Sequence, residues 1–433
     1  TPKPTVAASS RQAPKRALPD YAGRAPAGTT VGEALLWIPR VLFFPAYVVT
    51  DFVVRRPLGA LTGAVEGSRW IAGPEEDSSS GEDHSIGISP TLRFDTDFRP
   101  TVGAYFHYDH FVAEGSDLRV HAAFGGTDWL RLTVGDRLAL SPRAALDLRL
   151  EGTRRPDFIF HGVGPRSLAE DRSRYASDYV DGSVSFDVAL PHGLSAKTYV
   201  GLKAVSFGHD TCCEEPSLLA RVAQGRFAAP AGFAAGYTGV RTGGRLVYDS
   251  RPPRPAPGAG LRLEGNAEYA ADVRAPGASG WVRYGASAGG YLTLRGKSRV
   301  LSLAGTVLFA DPVGARDLPF TELVALGGGS GPMRGFHKDR LLGRSAAALS
   351  LEYRWPIWAL LDTSLQLSLG NVFDAHLANL AARDLRLAFA AGIHTVSEIN
   401  RSFELLFGGG TQTFAQGGHV RELRLVAGLN QKF

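Results

Sequence analysis

The stretch LGGGSGPMRGFHKDRLLGRSAAALSLEYRWPI, residues 326–357, joins a glycine-rich loop to a segment in which apolar and polar residues alternate. The loop half places Arg334 between Met333 and Gly335. A guanidinium presents five donors in a planar fork that suits a carboxylate. The alternating half carries Glu352. This stretch therefore predicts a loop whose arginine pairs with the strand that follows it.

Alternation with a period of two continues over most of the chain, from about residue 84 to the end. Leu146 and Leu148, for example, alternate with Asp147 and Arg149. Many such segments have the length of about ten residues that a tilted strand needs to cross a membrane. In a membrane barrel the apolar face meets lipid and the polar face lines the lumen, whereas the strands of a soluble sandwich are usually shorter.

Aromatic residues cluster towards the ends of these segments, as in the interfacial girdles of membrane barrels. They include Phe106, Tyr108, Trp129, Trp281, Trp355 and Trp358. The alternating segments number about sixteen, the even count that a closed single-chain barrel requires. We therefore expect an all-β fold, a 16-stranded antiparallel transmembrane β-barrel over residues 84–433, preceded by a short N-terminal helical segment.

Connections between the predicted strands are short at one end and long at the other. The long ones cover residues 155–176, 208–235 and 311–344. Membrane barrels usually have short periplasmic turns and long external loops. With a periplasmic N-terminus, the strand count agrees with this asymmetry and places Cys212 and Cys213 outside.

Bulk composition neither requires a membrane nor argues against one. The 433 residues are 44% hydrophobic and 21% charged, and no uncharged run reaches the roughly 18 apolar residues that a spanning helix needs. Alternating strands cancel in such averages. The net charge of +5 is small for this length and its lysines and arginines are scattered, so we do not expect nucleic-acid binding.

The first eighty residues predict three segments ahead of the barrel: a disordered leader (1–30), an apolar or amphipathic helical segment (31–72) and an acidic linker (73–83). Prolines interrupt the apolar segment and would break or kink a continuous spanning helix. Its large apolar residues predict contact with the membrane, with the barrel, or with a protein partner at residues 31–70. The contact residues are Trp37, Phe43, Phe44, Tyr47 and Phe52.

Cys212 and Cys213 lie beside acidic residues and a histidine in GHDTCCEEP. Thiolate, imidazole and carboxylate suit transition metals. No second cluster with zinc-type spacing exists, so we favour a polar loop tip with two thiols and predict no metal and no cofactor. The last strand carries Leu425, Leu429 and the terminal Phe433 on one face, a pattern that resembles a barrel assembly signal.

Several motifs together resemble a known family. They are MRGF at 333–336, LEYR at 351–354, FHGVG at 160–164 and YDSR at 248–251. In position and order they are similar to the sixth external loop and the barrel of the outer-membrane assembly and translocation superfamily that includes BamA, TamA and two-partner secretion transporters. This resemblance covers most of residues 84–433.

The resemblance implies that the sixth loop folds into the lumen and that its arginine meets inward residues of neighbouring strands. The implied lumen loop anchor consists of Arg334, Gly335, Phe336 and Glu352. We expect a short, bidentate pair between Arg334 and Glu352. Removing one partner of such a buried pair costs about 3–5 kcal/mol.

The strand after Glu352 departs from the family pattern. Gln366 and Ser368 stand where the family usually has an aromatic residue and an aspartate. With Arg354 they are expected to be secondary partners only, so that the anchor depends on Glu352.

The resemblance implies a protein of the bacterial outer membrane, surrounded by lipid and lipopolysaccharide, that assists insertion or translocation of polypeptides or lipids. Relatives that handle substrate proteins usually carry periplasmic polypeptide-transport-associated domains, and residues 1–83 show no such pattern. We therefore expect a separate protein partner. The alternative is a structural barrel or narrow pore that anchors a complex.

An enzymatic barrel, such as a phospholipase, is the third alternative. His107 and Asp109 share one strand face while His110 points to the other, so these groups do not converge. No serine, histidine and carboxylate set is evident. We predict no hydrolytic activity.

Overall fold

The computed structural model describes residues 86–208, 212–252, 258–275, 277, 279–294, 299–358, 361–395 and 402–430. The predicted leader, apolar segment and linker, with Trp37, Phe43, Phe44, Tyr47 and Phe52, lie outside the described residues, as does Phe433. Within these ranges, none of the helices has the length and apolar character needed to cross a membrane.

Eighteen strands occur in the described chain. They are β1 (Ile86–Asp95), β2 (Thr101–Asp109), β3 (Ser116–Gly126), β4 (Trp129–Ser141), β5 (Ala144–Phe160), β6 (Ser173–Ala189), β7 (Leu194–Gly208), β8 (Tyr237–Asp249), β9 (Gly260–Asp272), β10 (Gly280–Leu294), β11 (Arg299–Val313), β12 (Val324–Ala325), β13 (Leu342–Gly343), β14 (Ser345–Trp358), β15 (Leu361–Phe373), β16 (Arg386–Thr395), β17 (Ser402–Thr411) and β18 (Val420–Asn430).

Helical structure is limited to one short helix, α1 (Leu218–Ala223), and single 3₁₀ turns within the described ranges. Ser217 caps α1 by accepting a hydrogen bond from the amide of Ala220 at 3.2 Å. The 3₁₀ turns are Ala169–Asp171, Pro191–Gly193, Phe320–Glu322, Ala375–Leu377, Ala382–Asp384 and Phe414–Gln416.

Sixteen of the strands close into one barrel in which β11 is followed by β14 and β18 returns to β1. The two remaining strands, β12 and β13, pair with each other inside the connection from β11 to β14. The predicted all-β, 16-stranded antiparallel barrel is therefore confirmed.

Alternation produces this fold because each strand presents one face to the lumen and the other outward. In β4, Leu132 is 50% exposed whereas the next residue, Thr133, is 1% exposed. Leu425 and Leu429 of β18 lie on the outward face, where both are exposed. Closure covers the inward residues with the opposite wall and the lumen contents, and it leaves the apolar face for lipid.

Strands β5 and β6 run further than the alternation predicted, so the connection between them covers residues 161–172 rather than 155–176. The added part contains a register shift between Arg155 and Phe158. Polar contacts hold it: the buried carboxylate of Asp157 accepts a hydrogen bond from Trp129 Nε1 at 3.1 Å and from the amide of Arg99 at 3.0 Å. Such contacts leave no periodic signal in the sequence.

Two apolar clusters fill the end of the barrel that carries the long connections. One surrounds Met333 and Phe336, and the other is an aromatic cluster around Phe160, Tyr175 and Phe320.

Cys212 and Cys213 are joined by a disulfide, so the interpretation of this tip as two free thiols is wrong.

Candidate lumen loop anchor and barrel seam

The connection 314–344 enters the lumen, and we call it the lumen loop. Its residues contact inward groups on widely separated strands. Glu322 meets β7, β8 and β10, Pro332 meets β14 and β15, and Arg340 meets β18. Because these strands lie on different sides of the closed barrel, the lumen loop crosses the interior.

One side of the lumen is built from small residues, and we call it the small-residue wall. It consists of Ser350 in β14, Ser368 in β15, Ala388 and Ala390 in β16, and Gly408 and Gly410 in β17. The absence of long side chains at these positions lets the backbone of the lumen loop approach the strands closely.

Gly335 and Phe336 occupy this small-residue wall. A Cβ atom at Gly335 would lie 2.7 Å from the carbonyl oxygen of Phe389 and closer still to that of Gly409. Only glycine fits there without movement of two strands. The ring of Phe336 is fully buried and packs directly over Gly410.

The carbonyl oxygen of Pro332 is fixed by two serine hydroxyls. Ser350 Oγ lies 2.8 Å and Ser368 Oγ 2.7 Å from this oxygen, and the two hydroxyls are 3.0 Å apart. Ser368, expected to be a secondary partner, thus contacts the loop backbone rather than Arg334. The sequence resemblance offered no reason to include Ser350.

Arg334 and Glu352 face each other, but the contact is long. Arg334 Nη1 lies 3.8 Å from Glu352 Oε1, and the two side chains are 27% and 23% exposed. This distance exceeds that of a hydrogen bond. The expectation of a short, bidentate pair is wrong, because the tip of the loop is positioned by Pro332 and Gly335 and leaves the guanidinium at a distance.

The other two expected secondary partners lie deeper along the same strands. Gln366 is buried in β15. Arg354 Nε lies 3.7 Å from the carboxylate of Asp362, which is 1% exposed. Their role as partners of the loop stays a prediction.

Arg340 forms a second attachment of the lumen loop. Its guanidinium is 1% exposed and pairs through Nε with Glu422 of β18. Its Nη1 donates to Ser167 Oγ at 2.8 Å, which ties the lumen loop to the connection 161–172. A buried, charge-assisted contact of this kind is among the stronger polar interactions in proteins.

Glu322 forms a third attachment on the opposite side of the lumen. Its carboxylate is 2.6 Å from Lys203 Nζ and 3.1 Å from Arg283 Nη1, and it also accepts a hydrogen bond from Tyr237. Burial by itself raises the pKa of Glu322. The two cations and the hydrogen bonds outweigh burial and lower the pKa from 4.5 to about 2.

His337 continues the attachment towards the first strand. Its Nε2 lies 3.0 Å from Asp97 Oδ2, just beyond the end of β1, and Phe98 packs edge-on against its ring. Burial raises the pKa of Asp97, but His337 and Arg172 hold it well below its usual range. The carboxylate therefore stays ionised at neutral pH.

The barrel closes where β1 meets β18, and we call this junction the barrel seam. Among the described residues its ladder joins four residues of each strand, 92–95 with 426–429. Arg424 reinforces it: its guanidinium binds Asp95 through two bonds of 2.9 and 2.7 Å, and both side chains are nearly fully buried. Arg424 also donates to the carbonyl of Arg334 at 3.1 Å, so one residue links the barrel seam and the lumen loop.

Sequence reasoning located the lumen loop but missed the charged residues that hold it and close the barrel seam. Arg340 stood four residues after Phe336 in the motif stretch, and Glu322 was an isolated acid in the apolar run LPFTELVAL. Arg424 and Asp95 lie on the polar faces of the last and first strands, so closure of the predicted barrel offered a signal for that pair.

The family is settled by comparison of the whole sequence. A model of the Omp85 superfamily domain matches residues 114–394, well over half of the chain. The chain belongs to the Omp85 superfamily. The expected family is thus confirmed, and the protein is an outer-membrane β-barrel.

Solved structures show the same fold. BamA from Haemophilus ducreyi lacking POTRA domains 1-3 is similar with a TM-score of 0.56 and 14% identity, over 80% of this chain and 70% of that chain. CdiB from Escherichia coli is similar with a TM-score of 0.50 and 12% identity, over 81% of this chain and 68% of that chain. No curated protein sequence matches the chain.

Proposed function

We propose that this Omp85 barrel assists the insertion or translocation of polypeptides or lipids in the bacterial outer membrane, with its N-terminus in the periplasm. The short ladder of the barrel seam carries this proposal. In the described chain, β1 pairs with β18 over four residues but with β2 over eight. β18 pairs with β17 over ten.

The short ladder leaves the barrel seam with fewer backbone bonds than the two neighbouring junctions, so it opens once the pair of Arg424 with Asp95 is released. A backbone hydrogen bond contributes about 1 kcal/mol net, so a short ladder is weaker than its neighbours by several such bonds. An opened pair of strand edges accepts a further strand by β-augmentation. A client strand or a lipid thereby gains a route between the lumen and the bilayer.

A separate protein partner completes the proposal. We propose that such a partner binds segment 31–70, whose sequence contains large apolar residues such as Trp37 and Phe43. Crosslinking through this segment in native membranes identifies the partner. We also propose that the chain has no hydrolytic activity.

The function is tested by locking the barrel seam. Phe94 and Ala427 face each other across it, so Phe94→Cys with Ala427→Cys places a disulfide there, in a background carrying Cys212→Ser and Cys213→Ser. The assay follows folding of a small, unfolded outer-membrane barrel into liposomes that contain the purified protein. We expect the locked protein to lose its acceleration of folding and to regain it on reduction.

A matched lock elsewhere provides the control. Val102 and Phe124 face each other between β2 and β3, so Val102→Cys with Phe124→Cys crosslinks a junction that stays closed. This variant should keep full activity whether oxidised or reduced. Equal activity of the two locked proteins contradicts the proposal, and a wild-type protein no better than empty liposomes favours the structural barrel.

A further inference from the structure

We propose that the outer wall carries a binding site for a phosphorylated glycolipid of the outer leaflet. The site is a shallow groove of about 1060 Å³ across β2 to β8, which we call the outer groove. The proposal rests on the orientation above, in which the long connections are external. It assigns a specific ligand to one part of a surface that elsewhere contacts bulk lipid.

The floor of the outer groove follows one row of outward residues across the strands. Ala104, Ala122, Gly152 and Ala204 are the small members of this row, and Leu132 and Val180 complete it. A Cβ atom added at Gly152 would meet no atom within 4 Å. Small residues beside exposed leucine and valine leave an apolar depression that suits acyl chains.

The next row of outward residues, one step closer to the long connections, is apolar at one end and charged at the other. It begins with Val102, Phe124 and Leu130 and continues with the neighbouring pair Arg154 and Asp178. Arg154 is 63% exposed on the outward face although it follows the apolar residues of β5. A guanidinium at this level lies where the hydrocarbon layer gives way to lipid headgroups.

Two guanidinium groups line this edge of the outer groove. Arg154 binds Asp178 through Nε and Nη2, at 3.1 Å in each case, which leaves its other donors for a ligand. Arg274 donates to the carbonyl of Ala235 at 3.1 Å and is 47% exposed. Guanidinium groups bind phosphate through paired hydrogen bonds. The carboxylate of Asp178 and that of Asp272, which lies 3.8 Å from Arg274, offset the two positive charges. Binding therefore depends on the guanidinium donors that these contacts leave to a ligand, and it should weaken as salt is raised.

A second groove on the outer wall lacks this charge. It has a comparable volume of about 840 Å³ and an apolar floor that includes Gly265, Ala288 and Gly305. The one charged residue that lines it is Glu264, which Arg245 and Arg262 already engage. An apolar groove with guanidinium groups at its external edge therefore distinguishes the proposed site from ordinary lipid-facing surface.

Binding is tested on the purified full chain in detergent, so the result depends neither on orientation nor on insertion activity. Native mass spectrometry counts bound lipid after addition of bisphosphorylated lipid A, dephosphorylated lipid A or phosphatidylethanolamine. We expect bisphosphorylated lipid A to be retained most. Arg154→Ala with Arg274→Ala should weaken its binding about tenfold, as expected for the loss of two exposed charged contacts.

Two glycine variants test the floor of the groove. Gly152→Leu should fill the depression and reduce binding of all three lipids. Gly290→Leu is the matched control, because Gly290 is an outward glycine of β10 with open space around it and lines neither groove. Heat-modifiable mobility verifies that each variant is folded. Equal retention of the three lipids by the wild type, or unchanged binding by the arginine variant, overturns the proposal.

Discussion

The lumen loop is held on two sides of the barrel by different interactions, close packing on one side and charge on the other. On the small-residue wall, Gly335 and Pro332 fit against backbone and serine hydroxyls, so contact depends on the shape of the strands. On the opposite side, Glu322 enters a group of cations and hydroxyls, so contact depends on charge. An atom added at Gly335 would clash with the strand backbone, whereas loss of the charge on Glu322 would remove the carboxylate that Lys203 contacts.

The comparison also ranks the ion pairs of the loop. Glu322 is 3% exposed and has two cations within 3.1 Å, whereas Arg334 reaches Glu352 at 3.8 Å with both side chains about one quarter exposed. Exposed, long pairs contribute little, and buried pairs penalise the loss of one partner. The residue in the recognisable motif is therefore the weaker electrostatic anchor.

Glu322→Gln should have the largest effect, because it removes the carboxylate that Lys203 contacts and one of the two carboxylates, with Glu268, that Arg283 contacts. We expect a loss of unfolding free energy on the order of 3 kcal/mol. Urea unfolding of the purified barrel, followed by tryptophan fluorescence, measures it. Glu114→Gln, at an exposed position, is the matched control and should change the unfolding free energy very little.

The pH dependence of the unfolding free energy tests the contribution of the ionised Glu322 carboxylate separately. The pKa of Glu322 is about 2 in the folded protein against an ordinary 4.5. A depressed pKa means that the stabilisation is present above about pH 4.5 and is lost as the pH falls towards 2. Glu322→Gln should therefore lose less stability than the wild type between these values, and parallel pH profiles would contradict the assignment.

Gly335→Ala should have the next largest effect and tests the small-residue wall. The added methyl group meets the carbonyl oxygens of Gly409 and Phe389, and overpacking of this kind costs about 1–3 kcal/mol. The same urea unfolding measurement detects it. Gly152→Ala provides the control because its methyl group enters open space. A stable Gly335→Ala protein would show that the loop shifts easily on this wall.

Arg334→Ala should have the smallest effect, below about 1 kcal/mol, because the pair with Glu352 is long and partly exposed. Heat-modifiable mobility should stay intact. The sequence alone predicted a loss of about 3–5 kcal/mol. A loss of that size in urea unfolding would restore Arg334 as the main anchor.

Most of the fold was predictable from the sequence, but only part of the site was. In β9, Leu261 and Leu263 alternate with Arg262 and Glu264, and in β14, Leu349 and Leu351 alternate with Ser350 and Glu352, so the sequence pattern indicates both strands. The ends of β5 and β6 were missed because buried polar contacts, such as that of Asp157, continue the strands without alternating apolar residues. The motif placed Arg334, Gly335 and Phe336 in the loop, but it could not predict the distance between Arg334 and Glu352.

The sequence by itself determined the membrane barrel, the number of its strands and the position of the lumen loop, because periodicity is a local property of the chain. Only the tertiary structure decided which charges meet. Arg424 and Asp95 are 329 residues apart, and Glu322 meets Lys203 across 119 residues. The first pair forms only when closure sets the register of β1 against β18, and the second only when the lumen loop enters the barrel, since the lumen brings together residues that no local pattern connects.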